Sequence, residues 1–310
     1  MAMHRLLGMH VGVPDPDGLA TFYGEMGLAH DGSGHIDSPD GGTQVTIEQH
    51  PFRRLLGIDI GVVDDRDLDA AADRAASIGL AVRRDGDRLG VIDPASQVTI
   101  SLTPATPLVQ APPDPAPAPN APGAPVRVNR RAPAVFGAPR PPRRLGHVVI
   151  GSPDPAITRS VLVDGLGFKV SDDAEGILTF LRCSTDHHNV AIVHSPVPIL
   201  QHYSWECDDL DHAGHLATAL LRTDPSRHTW GIGRHFAGSN FYWYLRDPSG
   251  SFIELYSDLD VIDDDDEWDR HGRTPFELEH IGNIWGPDIP LEFIAPTDLP
   301  ELQQAWAARS

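Results

Sequence analysis

A proline- and alanine-crowded stretch breaks this chain in two. Residues 104–142 include Ala111-Pro112-Pro113-Asp114-Pro115-Ala116-Pro117-Ala118-Pro119. Such a segment has no apolar period and favours extended polyproline conformations, so it belongs in neither a core helix nor a central strand. It reads as a tethering linker between two parts that must each bury a core. With 310 residues in all, each part has room for a domain of ordinary size.

The two parts repeat each other. Val13-Pro14-Asp15-Pro16 is answered by Ser152-Pro153-Asp154-Pro155, Asp64-Asp65 by Asp208-Asp209, and Asp93-Pro94 by Asp247-Pro248. Each landmark adjoins a short β-like run, such as Val11-Gly12-Val13 or Val148-Val149-Ile150. Helical patterns follow over 17–26, 66–78 and 209–221, with a weaker one over 155–164. Recurrence at a fixed spacing means one supersecondary unit used several times. The parse is four βαβββ modules, two in residues 4–103 and two in 143–257, paired into two domains that are each a curved mixed sheet. This is an α+β architecture: an N-terminal domain (1–103), the linker (104–142), a C-terminal catalytic domain (143–257) and a tail (258–310) packing near the active site. The tail opens with Asp263-Asp264-Asp265-Asp266-Glu267, a run expected to be a solvated surface.

Net charge is −20, from 24 basic and 44 acidic side chains. A field of that sign repels phosphate backbones and argues against a nucleic-acid partner. The two cysteines, Cys183 and Cys207, cannot make a disulfide framework, which points to a reducing compartment. No long apolar run marks a signal peptide or a membrane span, so a cytoplasmic location without membrane contact is expected.

The repeat allows an internal comparison. Seven residues before Asp154 stands His147, and seven before Asp15 stands Gly8. Six before Asp208 is His202, against Ile58 before Asp64; seven after Asp247 is Glu254, against Ile100 after Asp93. Singly, each of the three polar residues reads as structural. Together, they indicate a shared scaffold on which only the second half keeps a metal. Two neutral imidazoles and one carboxylate cover one face of an ion and leave three positions open, the arrangement of non-haem Fe(II) oxygenases. Mn(II) suits the same ligands.

Gly233-Arg234-His235, Tyr244, Asp247-Pro248-Ser249-Gly250 and Glu254 resemble the signature of type I extradiol ring-cleaving dioxygenases, of the vicinal oxygen chelate superfamily. Leu145-Gly146-His147 and His202-Tyr203-Ser204-Trp205-Glu206 resemble the strands that carry that family's metal histidines. Asp186-His187-His188-Asn189-Val190-Ala191 resembles its acid–base strand. The stretch from Gly233 to Tyr256, with Trp285-Gly286-Pro287, is similar to catechol and homoprotocatechuate 2,3-dioxygenases. The resemblance implies His147, His202 and Glu254 as Fe(II) ligands, His188 as proton carrier, and His235 and Tyr244 as hydrogen-bonding partners of the substrate oxygens. It also implies a catecholic substrate, dioxygen as co-substrate, a ring-opened semialdehyde product and a homo-oligomer.

Two other readings compete. A glyoxalase-like isomerase or transferase of the same superfamily would collect four protein ligands and leave His188 idle. A metal-free module for an aromatic ligand is what the N-terminal half resembles by itself.

Overall fold

The computed structural model describes residues 3–174, 176–273 and 282–309. The repeated aspartates are helix caps. Strand β1 (Met3–Val13) ends where the Asp15 carboxylate accepts from the Gly18 N–H at the head of helix α1 (Pro16–Glu25), and Pro16 occupies the first turn, where no N–H is needed. Strands β2 (Ala29–His30), β3 (His35–Ser38) and β4 (Gly42–Gln49) complete the first module. The second runs β5 (Arg54–Val62), α2 (Asp65–Ser77, capped by Asp64), β6 (Val82–Asp85), β7 (Arg88–Ile92) and β8 (Thr99–Pro104).

After the Pro/Ala segment the order repeats. The third module is β9 (Arg144–Ser152), α3 (Pro155–Ser160, capped by Asp154), β10 (Lys169–Ala174), β11 (Leu178–Arg182) and β12 (Val190–His194). The fourth is β13 (Ile199–Glu206), α4 (Leu210–Thr223, capped by Asp209), β14 (His228–Arg234), β15 (Phe241–Arg246) and β16 (Phe252–Ser257). The weak helical pattern over 155–164 has a cause. After six residues α3 widens into a π-helical turn, Val161–Leu166, which rotates the apolar face away from a 3.6-residue period.

Each half is one eight-stranded mixed sheet, ordered β2-β3-β4-β1-β5-β8-β7-β6 and β10-β11-β12-β9-β13-β16-β15-β14. Within a module the first and last strands pair in parallel, and the two modules join through the antiparallel pairs β1–β5 and β9–β13. Register shifts in both joining pairs bend the strands. A single continuous core links the halves: Tyr23 of α1 meets Tyr203 and Trp205 of β13 at 6.2 and 6.0 Å between ring centroids.

The Pro/Ala segment holds one short 3-10 turn, Pro133–Phe136, and lies along the molecule. The Gln110 amide donates to Asp40 at 3.0 Å and Glu206 at 2.8 Å, and the Ala134 carbonyl lies 2.9 Å from His215 Nε2. The acidic run is exposed, as expected, except for half-buried Asp265, which pairs with Lys169 and with Arg182, whose side chain is buried. Nearby, the indole of Trp268 donates to the Ser171 carbonyl at 3.0 Å. Two short helices, Leu291–Ile294 and Leu299–Ala307, end the described chain. Among the described residues no helix is long and apolar enough to cross a membrane.

Candidate active site

Four polar side chains form a row across the second sheet. His147 on β9 pairs with Ser204 on β13, Ser204 with Glu254 on β16, and Glu254 with Tyr244 on β15. His202 lies two residues before Ser204 and so shares its face. The ligand atoms of His147, His202 and Glu254 all lie within 4.8 Å of one another, and all three residues are buried. Glu254 Oε2 is 2.9 Å from His147 Nε2 and 3.7 Å from His202 Nε2.

These donors suit a divalent cation. Glu254 is 1% exposed, and its ion-pair partners among the described residues are all histidines, with no lysine or arginine. A buried carboxylate needs a compensating positive charge. Burial opposes ionisation of Glu254, yet His147 and His235 outweigh it and hold the carboxyl well below the usual carboxylate range. Burial, partly offset by the Glu254 charge, pushes His202 down to about 3, so its imidazole is neutral and offers a lone pair. The backside of His202 is fixed as well: Nδ1 is hydrogen-bonded to Gln201 Oε1, which leaves Nε2 for the centre.

His188, two residues before β12, sets its ring tilted against that of His147, with the ring centroids 4.1 Å apart. Burial, reinforced by His147 and His187, keeps its pKa well below the ordinary histidine value. On the other side His235 Nε2 lies 3.0 Å from the Tyr244 hydroxyl, while Nδ1 bonds the Gly282 carbonyl. Burial, then the nearby Glu254 charge, raises the Tyr244 phenol well above its usual value, so it remains a donor. All six residues singled out in the sequence line one cavity of about 490 Å³. The rest of its wall is mainly apolar, including Val149, Ile177, Leu178, Phe180, Phe236 and Phe293.

Three neighbours escaped the sequence reading. Ser204 donates to Glu254 Oε2 at 2.5 Å and lies 2.6 Å from His147 Nε2. Asn240 donates to Glu254 Oε1 at 2.9 Å. Gln201 joins His202 to the tail, donating to the Phe293 carbonyl at 2.9 Å. Only for Ser204 did the sequence hold a signal, its i+2 spacing from His202.

The internal comparison needs one correction. Strand pairing and helix caps match His147 to Gly8, as expected, but match His202 to Gly57 and Glu254 to Ser101, not to Ile58 and Ile100. The helix cap equivalent to Asp64 is Asp209 rather than Asp208. The turn before β8 is also one residue longer: Asp93 N–H reaches the Val98 carbonyl, whereas Asp247 N–H reaches that of Ser251. The corrected counterparts argue more strongly against a metal in the first half. A Cβ at Gly8 would stand 2.7 Å from the Gln44 carbonyl oxygen, and one at Gly57 would stand 2.9 Å from that of Thr99. In place of Ser204 is Asp59, bonded to His10 at 2.6 Å and Arg88 at 2.5 Å.

Residues 144–255 match the family model of the Glyoxalase/Bleomycin resistance protein/Dioxygenase superfamily. The chain is 33% identical over 159 residues to metapyrocatechase 2 of Cupriavidus necator, a match covering 51% of this chain and 48% of that protein. It spans about half the length of the curated relatives it matches. Homoprotocatechuate 2,3-dioxygenase of Brevibacterium fuscum, solved with 3,4-dihydroxyphenylacetate, aligns over 94% of this chain and 91% of that one, with a TM-score of 0.72 at 20% identity. The 2,2',3-trihydroxybiphenyl 1,2-dioxygenase of Sphingomonas wittichii RW1 aligns over 93% and 100%, with a TM-score of 0.69 at 22% identity. The chain thus shares the fold of these two solved structures, with two paired domains each built from two βαβββ modules.

Proposed function

We propose that the chain is an extradiol dioxygenase that holds Fe(II) on His147, His202 and Glu254 and opens a catechol-type ring with dioxygen. The observation that carries this reading is the convergence of those three donors at a cavity that His188, His235 and Tyr244 also line. Fe(II) at such a site would bind a catecholate and dioxygen side by side and pass electron density between them. The protein's own groups do the rest. Tyr244 and His235 hydrogen-bond the diol oxygens and orient the ring. His188, neutral and buried, takes a proton from a ring hydroxyl and returns it later in the reaction. The apolar wall keeps water away while the ring is opened.

The cavity also bears on substrate class. Its volume of about 490 Å³ exceeds what one bare ring fills and falls among pockets for drug-sized ligands, roughly 300–1,000 Å³. No lysine or arginine lines it among the described residues. That wall favours catechols with uncharged alkyl or aryl substituents over those with a carboxylate, whose burial without a partner is costly. Buried, unpaired Cys183 and Cys207 agree with a cytoplasmic location, and by analogy with its relatives the protein is proposed to form a homo-oligomer.

The test is anaerobic reconstitution with Fe(II) or Mn(II), followed by dioxygen uptake with a panel of alkyl-, aryl- and carboxylate-substituted catechols. The reading expects uptake to depend on metal, and kcat/KM to be highest for uncharged substituents. Uptake by none of them, or tight zinc or nickel binding with isomerase activity instead, overturns it.

A further inference from the structure

Behind His188 lies a second pair of buried polar groups that the chemistry above leaves unused. His187 has no solvent exposure, and Asp172 on β10 is 5% exposed. His187 Nε2 is 3.0 Å from Asp172 Oδ2, and His187 Nδ1 is 3.0 Å from His188 Nδ1. Aromatic edges hold the rings in place: Trp268 meets His187 at 5.4 Å, and Phe180 meets His187 at 5.8 Å and His188 at 5.0 Å. The three polar side chains form a line from the interior behind β10 to the cavity.

We infer that Asp172 and His187 are positioning residues that fix the tautomer of His188. Hydrogen-bond direction sets the outcome. A carboxylate only accepts, so Asp172 takes the Nε2–H of His187. A neutral His187 then has a bare Nδ1, and His188 must donate its own Nδ1–H to it. The His188 lone pair is left on Nε2, the ring nitrogen not bonded to His187, and His188 lines the cavity. That is the form a proton acceptor needs, and it follows the logic by which a buried aspartate holds the histidine of a serine-protease triad in its working tautomer. With the line broken, His188 is free to carry its hydrogen on Nε2, where it blocks acceptance of a proton from a substrate hydroxyl. The inference rests on the proton-carrying role proposed for His188.

The test uses the full chain reconstituted with Fe(II) and compares Asp172→Asn, His188→Asn and the double variant. Asp172→Asn is expected to keep its metal and its KM while kcat falls by roughly 10²-fold or more. In the His188→Asn background the same change should alter kcat by no more than about twofold, because the line acts only through His188. A merely structural role would give the same loss in both backgrounds, or a loss of metal and KM, and either result overturns the inference. If Asp172→Asn does not fold, His187→Gln and His187→Leu replace it. Glutamine can still accept from His188 and donate to Asp172, so it should turn over roughly tenfold or more faster than leucine. Equal rates overturn the inference. Should His188→Asn itself keep the parent rate, the role proposed for His188 fails, and the inference falls with it. An equal loss in both backgrounds, with His188→Asn slow, overturns the inference alone.

Discussion

Replacing Arg53 by methionine should loosen the wall of the candidate site, although Arg53 belongs to the N-terminal half. Its guanidinium is almost wholly buried and grips Asp298 with two prongs, Nε to Oδ2 at 2.6 Å and Nη2 to Oδ1 at 2.9 Å. Nη1 donates to the Leu200 carbonyl at 3.1 Å. Leu200 precedes Gln201, whose amide holds the Phe293 carbonyl, and the Phe293 ring packs 4.6 Å from that of Tyr244. Asp298 directly precedes the last helix, whose Trp306 packs on Phe52 at 5.4 Å. One guanidinium therefore ties the tail to both halves of the molecule. Breaking a buried ion pair costs roughly 3–5 kcal/mol, because the surviving charge is left uncompensated. Asp298 is 32% exposed at its side chain, so water recovers part of its solvation. The expected loss for Arg53→Met is thus at the low end, about 3 kcal/mol. Urea unfolding of Arg53→Met, Asp298→Asn and the double variant should give a coupling energy of roughly 1–3 kcal/mol. The same single variants should show a raised KM for catechol with unchanged metal content, and earlier proteolysis of the tail. A loss for Arg53→Met under about 0.5 kcal/mol, with additive behaviour in the double variant, would refute the reasoning.

Other expectations follow from the site and its surroundings. His202→Ala should lose metal and turnover together. His188→Asn should keep its metal and still bind catechol, but slow by roughly 10²–10⁴-fold; metal analysis and single-turnover rates separate the two. Removal of Pro112–Pro119, which leaves the Gln110 and Ala134 contacts in place, should preserve activity, and loss of activity would show that this stretch is packed. Burial opposes ionisation of Asp186, but the Arg144 guanidinium outweighs it and lowers the folded-state pKa. Its contribution to stability is therefore full above the unfolded carboxyl value of about 4 and is lost as the pH falls through the lower folded value. Urea midpoints should drop more steeply with acid in the parent than in Asp186→Asn, and parallel curves would contradict this.

The modules were legible because their punctuation is chemical. Asp15-Pro16 and Asp154-Pro155 are an N-cap followed by the one residue that needs no N–H in the first turn, and Asp64 caps the second helix. The proposed metal ligands were legible because histidine and glutamate are rare on apolar strands. Two one-residue slips misplaced their counterparts: the cap matched to Asp64 is Asp209 rather than Asp208, and the turn before β8 is one residue longer, and either slip moves a strand residue to the other face. Ser204 and Asn240 were hidden for a different reason. The i+2 spacing of Ser204 from His202 places it on the same face but not its bond to Glu254, and Asn240 carries no signal until the neighbouring strands bring Glu254 within reach. Arg53 and Asp298 lie 245 positions apart, and nothing in local pattern joins them.

The most direct test of the central claim is mass analysis of the product formed from an uncharged catechol under isotopically heavy dioxygen, with the chain loaded with Fe(II). The account predicts a ring-opened semialdehyde carrying both heavy oxygen atoms, and no such product from His202→Ala. An unopened ring, or a product without heavy oxygen, would contradict it.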